Sequence, residues 1–160
     1  MTEPRIEDLA ETLLVGKRMS MSLAVNRTAE LWKSFMSVRS SVLNRTDENY
    51  YSVEIYPEQF FEQFNTEVNF EKWAAVKVSQ AENIPKSMEA LEIPAGTYAV
   101  FPFKGVSANV PQLMQYVFGT WLPQSGYQLD HRPHFALMGE KYKNNDPDSE
   151  EDFWIPIQSI

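Results

Sequence analysis

The sequence predicts an α+β fold, a tandem β-α-β-β repeat with pseudo-twofold symmetry in which two helices lie on antiparallel sheet. Three observations predict it. The runs Glu71-Lys72-Trp73-Ala74-Ala75-Val76-Lys77-Val78 and Asp152-Phe153-Trp154-Ile155-Pro156-Ile157-Gln158 are both strand-like with one Trp near the start, 81 residues apart (154 − 73). Each follows another strand-like run with an internal Glu-x-Tyr, at Glu54-Ile55-Tyr56 and Glu140-Lys141-Tyr142, 86 apart (140 − 54). Each half also holds one amphipathic helical stretch. The 160 residues read as one domain, with repeat one over about 5–80 and repeat two over about 90–160.

Glu11 to Ser22 reads as the first strand, with Leu13, Leu14 and Val15 at its apolar centre. Asn26 and Thr28 are cap-type residues, and Glu30 falls in the first turn after them. Leu31, Phe35, Val38 and Val42 recur at helical spacing, which predicts a helix over 28–41. Tyr50 to Tyr56 alternates as a strand and Pro57 ends it. A Phe-rich connection covers 58–70, and 71–79 is the third strand. Residues 80–94 read as a linker punctuated by Pro85 and Pro94.

In the second half, Gly96 to Lys104 is a strand. Asn109 and Pro111 open a helix whose apolar side carries Val110, Leu113, Met114, Val117, Phe118 and Trp121; Pro123 and Gly126 close it. Phe135 to Tyr142 is a strand, Asn144 to Glu151 an acidic hairpin loop, and 152–158 the last strand. Period-two alternation then puts a Trp, a Glu and a Tyr of each half on the face away from the more aliphatic row: Trp73, Glu54 and Tyr56, and Trp154, Glu140 and Tyr142.

Composition narrows the function classes. Aromatics make up 13% of the chain, more than a core of this size needs, which suggests that some line a pocket between the halves. The net charge of −8 argues against direct nucleic-acid binding, because phosphate contacts need a basic surface. The absence of cysteine excludes thiol catalysis, disulfides and thiolate metal sites. The polar, acidic start at Met1-Thr2-Glu3-Pro4 is no signal peptide and no run of 18 apolar residues follows, so a cytoplasmic protein without membrane contact is expected. Asn26-Arg27-Thr28 and Asn44-Arg45-Thr46 match the glycosylation sequon, which carries little without a secretion signal. No cofactor is expected: the few glycines form no phosphate-cradling loop, and there is no Gly-x-Ser-x-Gly elbow. No metal is expected either. His131 and His134 have no helix beneath them and no third ligand nearby, and the acidic run from Asp146 to Asp152 lacks the EF-hand spacing.

Four runs carry a resemblance: Ile93-Pro94-Ala95-Gly96-Thr97-Tyr98-Ala99-Val100-Phe101, then Trp121-Leu122-Pro123-Gln124-Ser125-Gly126-Tyr127, then Arg132-Pro133-His134-Phe135, then Phe153-Trp154-Ile155-Pro156-Ile157. In this order they resemble the GyrI-like effector-binding family, also found as the C-terminal ligand-binding domain of multidrug-sensing transcription activators. The match is strong over 91–158. Over 1–80 its best element is Glu71-Lys72-Trp73-Ala74-Ala75-Val76. The resemblance implies binding of hydrophobic, often cationic, small molecules in an aromatic groove with a buried Glu. It also implies a stand-alone module, since the chain has no room for the helix-turn-helix domain of the activators. Members commonly carry that Glu directly after the Phe of the Arg-Pro-x-Phe run, where this chain has Ala136. Alternation places Ala136, Met138, Glu140 and Tyr142 on one face, which offers Glu140 as the replacement carboxylate.

The expected ligand-binding residues are therefore Trp154, Trp73, Tyr98 and Tyr142 as walls and Glu140 as polar anchor, with Glu54, Tyr56 and Met138 alongside. The expected function is binding of hydrophobic aromatic compounds, cationic ones included, for sensing, sequestration or drug resistance. Two alternatives stand beside it. One is a hydrolase of reactive electrophilic toxins in which Glu140 orients water. The other is an interaction protein that masks a partner such as gyrase through its acidic surface. The residues themselves specify no protein partner.

Overall fold

Two short links set the architecture. The computed structural model describes residues 3–160. The chain runs β1 (Arg5–Leu9), β2 (Thr12–Met21), α1 (Thr28–Met36), β3 (Tyr50–Ile55), β4 (Phe70–Lys77), β5 (Glu89–Ile93), β6 (Gly96–Lys104), α2 (Val110–Tyr116), β7 (Tyr127–Leu129), β8 (His134–Met138) and β9 (Glu150–Ser159). The antiparallel sheet has the order β1-β6-β9-β8-β3-β4-β2-β5, and β7 pairs with β9. Only Ala10 and Glu11 join β1, at one edge, to β2 near the other. Only Pro94 and Ala95 join β5, at the far edge, back to β6. Links this short bring the two edges together, so the sheet curls and encloses one of its own faces.

That enclosed face holds Leu14, Tyr51, Val53, Trp73, Ala75, Ile93, Tyr98, Val100, Phe135 and Trp154 in one cluster. The outer face carries the helices. Leu31 and Phe35 of α1 pack on Val15, Met21, Ala74 and Val76. Leu113 of α2 and the Val117 that follows it pack on Ala99, Phe101, Ile155 and Ile157. Both faces of the central strands are buried, which is why β4 and β9 read as nearly continuous apolar runs.

The duplication is visible in the register. Val53 faces Trp73 across β3 and β4; Phe135 faces Trp154 across β8 and β9; and Val53 faces Phe135 where the two repeats meet. A pseudo-dyad therefore passes through the Val53–Phe135 pair, and the repeats are offset by 82 positions there (135 − 53). The repeats share a β-β-α-β-β unit, one strand longer than the β-α-β-β unit expected, and the second repeat adds the short β7 after its helix. The leading strand of each repeat is exchanged: β1 pairs with β6, and β5 with β2.

Several expectations are corrected. The supposed linker 80–94 contains β5, and the strands β1 and β7 were not anticipated. All three are short, and β1 and β5 lie at sheet edges, so their sequences are half polar. The first helix stops at Met36 rather than 41. Arg39–Ser41 is a separate 3₁₀ turn, where Ser37 Oγ and Ser41 Oγ donate to Ser34 O and Val38 O and compete with helix propagation. β8 ends at Met138 rather than 142, because Gly139 opens a turn in which Tyr142 N donates to Gly139 O. Glu140 and Tyr142 therefore stand off the strand, and Glu54 corresponds by register to Ala136 rather than to Glu140.

Candidate functional site

The helices leave the middle of the outer face open. α1 covers β2 and β4, α2 covers β6 and β9, and in the strand order β8 and β3 lie between them. Outward-facing residues of β3 and β8 thus form the floor of a groove. They pair across the strands as Tyr50–Met138, Ser52–Ala136 and Glu54–His134. Ser52 and Ala136, in the middle, are small and buried, at 7% and 5% exposed. Larger side chains rise at both ends.

One end is walled by aromatic rings. Phe61, from the β3–β4 connection, stacks on Phe118 at 4.6 Å and on His134 at 5.5 Å. Tyr56, just past β3, meets His134 edge-on at 4.9 Å and Phe60 at 4.6 Å. Phe118 lies in a π-helical turn (Val117–Trp121) that continues α2. Val117, four residues after Leu113, points into the core with it, and Phe118, the next residue, is half-buried at the groove. Phe61 therefore bridges the two repeats: it belongs to the first and stacks on two residues of the second.

The charged groups lie along the same floor. Lys72, paired with Glu54 across β3 and β4, places Nζ 3.1 Å from Glu54 Oε1, with both side chains largely buried. Glu151 of β9 faces Phe103 across β6 and β9. Burial, then the nearby Glu54, push its carboxyl up to about 7, and Lys72 partly opposes the rise. Burial first, then His131 and Arg132, push His134 down to about 3, so its imidazole is neutral at ordinary pH. Burial, then Glu54, hold the Tyr56 phenol far above its usual range.

The expected site residues divide between two faces. Glu54, Tyr56 and Met138 line the groove. Trp73, Tyr98 and Trp154 lie on the enclosed face, where Trp154 stacks on Phe135 at 5.2 Å and Tyr98 meets it at 5.8 Å. The expectation that Trp and Glu share a face is corrected: in β3 the row of Val53 and Ile55 faces inward with Trp73, so Glu54 and Tyr56 face out. Glu140 is exposed in the turn after β8, and Tyr142 is 37% exposed beside it, turned toward the Glu151 charge. Ser52, Phe61, Lys72, Phe118, His134 and Glu151 were not singled out for the site. Lys72 and Glu151 had a usable signal, because each shares its period-two row with the apolar residues under a helix. Phe61 had none, since a loop has no period.

The Arg-Pro-x-Phe run has a structural half. The Arg132 guanidinium donates to Thr97 O at 2.7 Å, to Ile157 O at 3.1 Å and to Asp130 at 2.6 Å, and lies 4.7 Å over the Tyr98 ring. Tyr98 Oη donates in turn to Pro133 O at 2.7 Å. This clamp ties β6 and β9 to the entry of β8 and so fixes where His134 and Ala136 stand. The model of the GyrI-like small molecule binding domain matches residues 2–158.

The chain belongs to that family.

This GyrI-like domain is 24% identical over 154 residues to the transcriptional regulator BrlR of Pseudomonas aeruginosa; the match takes in 96% of the chain and 54% of that protein. The chain thus spans about half the length of this curated relative. Among solved structures it is similar to SAV2435 bound to tetraphenylphosphonium (18% identity, TM-score 0.74, 98% of this chain and 94% of that one). It is also similar to the C-terminal domain of EcmrR (13% identity, TM-score 0.73, 99% and 98%). These likenesses establish the antiparallel α+β fold of the GyrI-like domain. No helix among its described residues is long and apolar enough to cross a membrane.

Proposed function

We propose that the domain binds hydrophobic aromatic small molecules, cations included, in the groove over β3 and β8, in a sensing or sequestering role. The observation that carries the proposal is the Phe61–Phe118–His134 stack. Flat rings from both repeats converge above a floor that is small and low at Ser52 and Ala136. A ligand ring laid against this stack gains about 0.5–1.5 kcal/mol per contact beyond its apolar burial. His134, being neutral, does not repel a cation. The acidic surface, at net charge −8, favours positive ligands at long range. SAV2435, a protein of the same fold, holds tetraphenylphosphonium, a hydrophobic aromatic cation.

The site proposed here differs from the one expected from alternation. Glu54, Tyr56 and Met138 remain in it. Trp73, Tyr98 and Trp154 act instead through the enclosed layer beneath the floor. Isothermal titration with tetraphenylphosphonium tests the reading. The wild-type protein should bind it, and Phe118→Ala should weaken binding about tenfold. Equal binding by wild type and Phe118→Ala would place the ligand elsewhere.

A further inference from the structure

We propose that Glu151 is the carboxylate with which a positively charged ligand pairs in this groove, an inference that rests on the groove reading above. Ala136 floors its place in β8 with a methyl group, so the second repeat offers no charge there. Glu54 holds the corresponding place in the first repeat, and Lys72 already occupies it at 3.1 Å. A ligand cation drawn to Glu54 must compete with that ammonium.

Glu151 has no such partner: among the described residues it forms no ion pair. It lies two positions before Phe153, and Phe153 faces Ala136 across β8 and β9. Alternation in β9 therefore puts Glu151 on the groove side, beside the gap that Ala136 leaves. Its neighbours are mostly apolar or anionic, and the nearby Lys72 ammonium is already paired with Glu54. Phe103 stands opposite it, Phe153 packs edge-on against Phe103 at 5.8 Å, and Glu54 lies close enough to raise its carboxyl. A half-buried carboxylate among rings, without a counterion, is stabilised by any cation that enters. Its ring neighbours also present faces and edges to the apolar part of the same ligand.

Opposite-charge probes of one shape test this on the full chain. Tetraphenylphosphonium and tetraphenylborate differ mainly in sign, and triphenylphosphine oxide is a neutral aromatic companion. Affinities would be measured by calorimetry for wild type, Glu151→Gln, Glu54→Gln and, as a surface control, Glu82→Gln. Glu151→Gln should weaken the phosphonium about tenfold, leave the phosphine oxide within twofold, and narrow the preference for phosphonium over borate. Glu82→Gln should change none of them. Unchanged binding of the neutral probe also certifies that the variant is folded. Phosphonium binding that survives Glu151→Gln, or that is lost only with Glu54→Gln, overturns the assignment of Glu151 and leaves the groove reading standing. Failure of all three probes to bind wild type overturns both.

Discussion

Glu54 of β3 occupies the register place that Ala136 occupies in β8. Val53 and Phe135 face each other on the pseudo-dyad, and residues 54 and 136 each follow one of them. Their partners correspond as well: Glu54 faces Lys72, and Ala136 faces Phe153. One half of the floor therefore carries an ion pair where the other carries an alanine and a ring. At this pair of positions the two repeats share a backbone and differ in chemistry, charged in one and apolar in the other.

The Glu54–Lys72 pair is largely buried, so each charge depends on the other more than on water. Lys72→Met should cost about 1–3 kcal/mol, because it strands a carboxylate beside Glu151. The double variant Glu54→Leu/Lys72→Met should recover most of that loss. Urea unfolding of the four proteins in the cycle measures both. A single-variant cost below about 0.5 kcal/mol would mean that the pair is solvated like a surface bridge.

Much of this was legible in the sequence, for physical reasons. Strands buried on both faces, such as β4 and β9, announce themselves by apolar runs with a Trp, and the Trp73–Trp154 spacing of 81 comes within one residue of the offset of 82 at the pseudo-dyad. The Glu-x-Tyr pairing misled because it joined Glu54 to Glu140 across a strand that Gly139 ends first. Trp73 and Trp154 do lie opposite the apolar rows of their own strands, but in a curled sheet both rows are apolar, and alternation alone does not say that Val53 and Ile55, rather than Glu54 and Tyr56, share the face of the Trps. The edge strands β1 and β5 were hidden because their pairing comes from the exchange between repeats, a long-range relation with no local pattern. Phe61 acquires its role only when the chain brings it to Phe118, 57 residues on (118 − 61).

Phe61 is half-buried, and its stacking on Phe118 and His134 closes the aromatic end of the groove. Phe61→Ala should lower stability by about 1–3 kcal/mol, the burial lost by a partly exposed ring. It should also weaken triphenylphosphine oxide three- to tenfold, the worth of one stacking contact. Phe61→Tyr should restore both. Full affinity in Phe61→Ala would show that the ring covers the groove without touching the ligand.

Gly96 is needed for the clamp. A Cβ built there would lie 2.2 Å from Arg132 Nη1, and Arg132 is held by Thr97 O, Ile157 O and Asp130. Gly96→Ala should force the guanidinium off at least one carbonyl and cost about 1–3 kcal/mol, although alanine suits a strand better than glycine. Differential scanning calorimetry should show Gly96→Ala melting several degrees below wild type. A higher Tm would mean that the arginine swings aside without loss.

Glu151 gives the domain a stability that depends on pH, and the sign follows from linkage. Its folded carboxyl titrates at about 7, above the ordinary 4.5, because of burial and then Glu54. Lys72 opposes the shift, and Tyr142 faces Glu151 from the hairpin with its phenol un-ionised through this range. Between these two pH values the folded state keeps a proton that the unfolded chain has released, so unfolding becomes easier as pH rises. The contribution is fully present below 4.5 and lost as pH climbs through 7. The shift would amount to about 3 kcal/mol for an unscreened group, and about 1–2 kcal/mol remains once its partial exposure is discounted. Glu151→Gln, which cannot ionise, should therefore flatten the stability profile between pH 5 and 8 and leave the variant the more stable protein at pH 8. Urea midpoints at about pH 5, 6.5 and 8 decide it: a wild-type curve parallel to that of Glu151→Gln would show that the carboxyl titrates like one in water.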